Sequence, residues 1–162
     1  MNKIVPNLWF DNQAEEAVNF YTSIFKNSKI GKILRYGKEG YEIHKKEAGT
    51  VLTINFEIEG QQFVALNGGP EFKFNEAVSF IVNCETQEEI DYYWNKLSAV
   101  KESEQCGWLK DKYGVSWQIV PKFLEEILQD QDPEKFDKVM KVFLQMKKID
   151  IEELKKAYEG SV

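Results

Sequence analysis

With 162 residues, 43% of them hydrophobic and 14% aromatic, the chain can build one substantial core or two small modules, and it is too apolar for disorder. Twenty-one basic residues against 27 acidic ones give a net charge of −6, which excludes a phosphate-backbone binder, because such proteins concentrate cations on one face. No apolar run of signal-peptide length follows Met1, and no stretch approaches the roughly 18 apolar residues needed to cross a bilayer, so a cytoplasmic chain without membrane contact is expected.

The first predicted element is a short strand, Ile4 to Phe10, interrupted by Pro6. Asn12 to Phe25 then carries Ala14, Ala17, Val18, Tyr21, Ile24 and Phe25 at helical spacing, with Asn12 as expected N-cap and Glu15 as its capping-box partner. A strand over Lys29 to Tyr36, a Gly- and charge-rich excursion from Gly37 to Gly49 and a strand over Thr50 to Ile58 come next. Glu59-Gly60 turns the chain into Gln62 to Leu66, and Asn67-Gly68-Gly69-Pro70 breaks the pattern and opens a linker.

The order then repeats. Ala77 to Asn83 is β-like, Glu85 to Leu97 is a helix with Ile90, Tyr93, Trp94 and Leu97 on one stripe, and residues 99–121 are expected to hold three short strands. Glu15-Glu16-Ala17 over Phe20-Tyr21 is echoed by Glu88-Glu89-Ile90 over Tyr93-Trp94, and the turn ending at Gly60 is echoed by the one ending at Gly114. Two βαβββ units describe this pattern. Beyond Pro121 the chain reads as helix: Asp132-Pro133 supplies a cap and a first-turn proline, Phe136, Val139, Met140, Phe143 and Leu144 form a stripe, and Asp150 with Glu153 caps a last helix. These helices are expected to dock on their own domain or on a second subunit.

The densest aromatic stretch runs from Cys106-Gly107-Trp108 through the turn Asp111-Lys112-Tyr113-Gly114 to Trp117-Gln118 and Pro121. Bulky rings beside a glycine-set turn suggest a strand pair whose inner face is either core or the floor of a concave site. Cys106 opens this hairpin; with Cys84 it reads as a reduced thiol rather than half of a disulfide.

Two tandem modules with an Asp-x-x-Gly-x-x-Trp turn in the second resemble the vicinal oxygen chelate superfamily, which includes glyoxalase I, bleomycin-resistance proteins and extradiol dioxygenases. Leu8-Trp9-Phe10-Asp11 running into Ala14-Glu15-Glu16-Ala17, then Asn19-Phe20-Tyr21, Leu66-Asn67-Gly68-Gly69-Pro70, Cys106-Gly107-Trp108 and Met146-Lys147-Lys148-Ile149-Asp150 are similar to its PhnB-like branch. The resemblance implies curved half-barrel modules that form a cup for small molecules, homodimers, and, in metal-dependent members, His, Gln or Glu ligands from the first and last strands around a Lewis-acid cation.

The residues at hand sit awkwardly with that cation. The matching first-strand positions fall near the apolar Ile4 and Val78, the last-strand position four residues after Gly114 holds Gln118 in place of a carboxylate, and the end of module one near Leu66 is apolar apart from Asn67. His44, the one imidazole, lies in a charged stretch and reads as a solvated side chain. With a single His so placed, a Ser-His or Cys-His pair is not expected. The branch is often labelled as related to a demethylubiquinone methyltransferase, yet Gly31, Gly37 and Gly40 lack the spacing of a methyl-donor loop.

The expectation is therefore an α+β protein of two tandem βαβββ modules, residues 1–70 and 71–121, followed by C-terminal helices over 122–162, all within one structural domain. Its expected function is binding of an unidentified small apolar or aromatic ligand as a cytoplasmic homodimer, without cofactor, metal, nucleic acid or membrane. Trp9, Phe56, Asn67, Cys106, Trp108, Trp117 and Gln118 are the candidate ligand-binding residues. The alternative is a lyase, isomerase or oxygenase of the same superfamily, using a divalent metal or amide groups that polarise the substrate.

Overall fold

The computed structural model describes residues 2–160. The chain divides between Phe74 and Asn75 into two compact units. In the first, β1 (Asn7–Phe10) leads into α1 (Ala14–Ile24), followed by β2 (Ser28–Arg35), the one-turn helix α2 (Tyr41–His44), β3 (Val51–Ile58) and β4 (Gln61–Asn67). The strands lie in the order β1-β4-β3-β2, with β1 parallel to β4 and the other pairs antiparallel.

Strand alternation splits this sheet into two faces. Phe10, Ile54, Phe56, Ile58, Phe63 and Ala65 are buried on the side that receives Ala14, Ala17, Val18, Tyr21 and Ile24 of α1. Phe56 sits 6.4 Å from Tyr21 and 5.3 Å from Phe63, ring to ring, both stacked. Trp9, Thr53, Asn55, Gln62, Val64 and Leu66 belong to the other, open face by register. The helix starts at Ala14 behind Gln13, which makes no capping bond, so the expected cap at Asn12 is replaced. Asn67 Oδ1 accepts from the Ala14 N–H at 2.9 Å instead, a cap supplied from across the sheet that local sequence does not reveal.

The second unit contains β5 (Ser79–Cys84), α3 (Gln87–Leu97), β6 (Trp108–Lys110) and β7 (Ser116–Pro121), ordered β5-β7-β6 with β5 parallel to β7. The module is βαβββ-like, but residues 99–121 form two strands rather than the expected three. Lys101–Ser103 coils into a 3-10 turn in which the Ser103 and Glu104 N–H groups bond back to Val100 and Lys101, so local bonds take the amides that a ladder would use. Gln105 then pairs with Trp108 around Cys106 and Gly107, both left-handed at φ 48° and 83°, the geometry of a two-residue hairpin turn.

The C-terminal helices α4 (Lys122–Gln129), α5 (Pro133–Phe143) and α6 (Ile151–Glu159) belong to this second unit. Asp132 caps α5 behind Pro133, and Asp150 caps α6 through the Glu153 N–H, as the sequence suggests. Ile127, Val139, Met146, Ile149 and Leu154 form one buried cluster, against which Val120 of β7 packs. The hairpin turn fixes its position: Cys106 N–H donates to Met146 O at 2.9 Å and Gly107 N–H to Lys147 O at 2.8 Å. Gln87 of α3 completes the seam, donating to Ile149 O at 3.0 Å and accepting from Ile151 N–H at 2.9 Å. The extension thus docks on its own unit, leaving Phe136 and Leu144 of the predicted stripe exposed. Among the described residues no helix is long and apolar enough to cross a membrane.

Candidate functional site

The cross-strand register of the second sheet sets two rows of side chains on the face away from α3. Ser79, Ser116 and Lys110 are lateral neighbours, and two residues along the strands so are Ile81, Gln118 and Trp108. On the other face Cys84, Leu109, Trp117 and Ile119 are buried, as are Ile90, Trp94 and Leu97 of α3.

Four of the seven predicted site residues lie in this unit, and they part company. Trp117 is core: its ring is 5.4 Å from Phe80 and its indole N–H donates to Asp111 Oδ2 at 2.9 Å. The other oxygen of Asp111 accepts from the Tyr113 and Val115 N–H groups at 2.8 and 3.1 Å, so the tryptophan and the buried carboxylate together hold the turn. Trp108 and Gln118 share the open face as direct neighbours. Gln118 Nε2 donates to Ser79 Oγ at 2.9 Å. Cys106 belongs to the seam with the C-terminal helices, its thiol 3.5 Å from Phe143 O. Both cysteines are free, and burial pushes the Cys84 thiol up to about 12.

Sequence reasoning missed the row beside Gln118. Ser116 is 1% exposed, and its hydroxyl is the only buried side-chain polar atom among the described residues without a hydrogen-bond partner. Lys110 forms an ion pair with Glu76, whose carboxyl it holds below the usual carboxylate range by that hydrogen bond. The available signal was the period-two spacing, since Ser116 must face the same way as Gln118.

In the first unit, Trp9 lies on the open face but closes the chain's own turn. Its indole donates to Gly69 O at 2.9 Å and its ring meets Phe72 edge-on at 5.0 Å. A Cβ on Gly68 would stand 2.3 Å from that ring, so the turn accepts only glycine there. Asn67 spends its amide on Ala14 N–H and, at 3.1 Å, on Val51 O. Phe56 is locked in the aromatic stack. A hollow of about 350 Å³ does open on this unit, lined by Val5, Asn55, Gln62, Val64 and the Lys29–Glu57 ion pair. His44 is committed as well: Nδ1 accepts from Lys46 N–H at 2.9 Å, which leaves Nε2 to donate to Glu39 O at 3.1 Å.

The family model described as 3-demethylubiquinone-9 3-methyltransferase matches residues 2–120. A Bacillus cereus PhnB protein carrying the same description is 40% identical, with a TM-score of 0.61 over 74% of this chain and 99% of its own. This chain belongs to that PhnB-like family. A Pseudomonas aeruginosa protein (17% identity, TM-score 0.54, 75% of this chain and 98% of its own) shares the fold. So does the fosfomycin resistance protein FosX of Listeria monocytogenes (16%, 0.53, 80% and 98%). No curated protein matches the chain.

For this PhnB-like chain, register corrects which residues stand at the positions where the sequence resemblance implied cation ligands. Ile4 and Val78 both precede their strands and are exposed. The first-strand residue in register with Gln118 is Ile81; four residues after Gly60 stands Val64, in register with Asn7. In each unit by itself, one aliphatic side chain beside one neutral amide does not fit a divalent cation, and among the described residues no group of three or more His, Cys, Asp or Glu could hold one. The methyl donor implied by the family's description fares no better. The turns that enter α1 and α3 contain no glycine, and the first-turn amides at Ala14 and Glu89 are already capped by Asn67 and Thr86.

Proposed function

We propose that this PhnB-like protein is a small-molecule binding protein that works without a divalent cation, and that its ligand lies on the open face of the second sheet. The observation that carries the reading is Gln118: at the superfamily's carboxylate position stands an amide, oriented by Ser79 and flanked by Ile81 and Trp108. An amide of this kind orients a ligand by hydrogen bonds, and the flanking side chains offer it apolar contact. The exposed Ile30, Ile33 and Leu34 on β2, the edge strand of the first sheet, support a homodimer, and two free thiols support the cytoplasm as its compartment.

The test joins native mass spectrometry of the purified protein to a thermal-shift series in nickel, zinc, manganese, iron and EDTA. A co-purified organic molecule, or an organic ligand whose stabilisation survives EDTA and weakens in Gln118→Ala, supports the reading. Stoichiometric metal that raises the melting temperature and is lost to EDTA overturns it.

A further inference from the structure

We infer that the ligand of this face is a small organic acid, its carboxylate seated on the Ser79–Ser116–Lys110 row and its apolar body on the Ile81–Gln118–Trp108 row. The inference rests on the proposed binding function and names the chemical class it serves. It starts from the buried, partnerless hydroxyl of Ser116. A hydroxyl in that condition costs stability, and it stands between two other donors rather than among apolar groups.

Ser79 lies on one side of it in register and Lys110 on the other. Because Ser79 Oγ accepts from Gln118, its own proton is left to donate. The Lys110 ammonium has three N–H groups, and Glu76 is the ion-pair partner the structure gives it. Three donors in one lateral row suit an acceptor-only oxygen group. Cross-strand neighbours stand about 5 Å apart at Cβ, close enough for two hydroxyls and an ammonium to share one carboxylate.

Glu76 adds the charge argument. It comes from the segment before β5, its side chain is 59% exposed, and its carboxylate already rests on the ammonium. A carboxylate therefore fits this end of the row, and one held by so exposed a side chain can be displaced by a ligand that carries its own. The body follows from strand geometry: Gln118 lies two residues beyond Ser116, about 7 Å along the strand, roughly the reach from a carboxylate to the far side of an attached ring. At that distance Trp108 and Ile81 flank the amide, and Ile81 is 57% exposed.

The experiment titrates the full-length protein with a panel of aryl and alkyl carboxylic acids and their primary amides, followed in amide-resolved NMR spectra. The acids are expected to bind about tenfold or more tightly than the matching amides, as charge-assisted hydrogen bonds require. Their shifts should centre on Ser79, Lys110, Ser116 and the Gln118 side-chain amide. Lys110→Met should erase the preference, Ser116→Ala should weaken acids without unfolding the protein, and Glu76→Gln should tighten acids by removing the competing carboxylate. Equal binding of acids and amides, with shifts at Gln118 and Trp108, would sink the inference and leave the binding function standing. Acid binding untouched by Lys110→Met, or weakened by Glu76→Gln, would also sink the inference alone. If no member of the panel shifts the open face at millimolar concentration, both fall.

Discussion

Trp117→Ala separates core from wall in the aromatic hairpin. The side chain is 4% exposed, its ring lies 5.4 Å from Phe80, and its indole N–H donates 2.9 Å to Asp111 Oδ2. Truncating a packed tryptophan costs about 3–5 kcal/mol, and depriving a buried carboxylate oxygen of this donor adds about 1–3 kcal/mol. A loss of about 4–8 kcal/mol rivals the whole stability of a domain, so the second unit should be largely unfolded at room temperature. Gln118→Ala, one residue away on the opposite face, loses a single part-buried bond worth about 0.5–1.5 kcal/mol. Urea titration followed by far-UV circular dichroism measures both variants, with each transition fitted separately because the chain has two compact units. A Trp117→Ala protein within about 1 kcal/mol of the parent, yet defective in ligand binding, would refute the core assignment.

Gly107→Ala should cost about 2–4 kcal/mol, from a left-handed backbone at φ +83° and a Cβ placed 2.8 Å from Ile149 Cδ1 and 2.9 Å from Ile119 O. Hydrogen exchange should show the amides near Met146 to Ile149 opening first, since the same turn donates to Met146 and Lys147. Cys84, fully buried, should resist Ellman's reagent in the folded protein at pH 8, because burial pushes its thiol up to about 12. The raised value favours the protonated folded form: its stabilisation is complete below the unfolded thiol's range and is lost as pH rises toward 12. Cys84→Val should therefore lose less stability than the parent between about pH 9 and 12, as read by urea midpoints.

Periodicity carried most of the fold into view. Helical stripes gave α1, α3 and α5, and the repeated turn glycines Gly60 and Gly114 gave the tandem modules. Two kinds of information were not local. The cap on α1 comes from Asn67, 53 positions away, and no pattern near Asn12 betrays it. The third strand of module two gives way to the turns at Lys101–Ser103 and Cys106-Gly107, where a non-glycine residue at positive φ has no sequence signature. Site residues suffered most. Whether an aromatic faces helix or open side depends on register to one residue, which is why Phe56 and Trp117 are core while Trp108 is not.

The two modules keep one architecture but treat their polar groups differently. In the first, the amide of Asn67, the indole of Trp9 and the imidazole of His44 all end on the chain's own backbone. In the second, Ser116 keeps a buried hydroxyl with no partner at all. If that hydroxyl served the fold, its removal would cost stability; if it serves a ligand, removal should be neutral or stabilising by up to about 1 kcal/mol, because an unpaired buried polar group is a net cost. Ser116→Ala measured by urea midpoint decides between them. A loss above about 1 kcal/mol would mean that the hydroxyl is bonded within the protein, and the distinction between the two open faces would go with it.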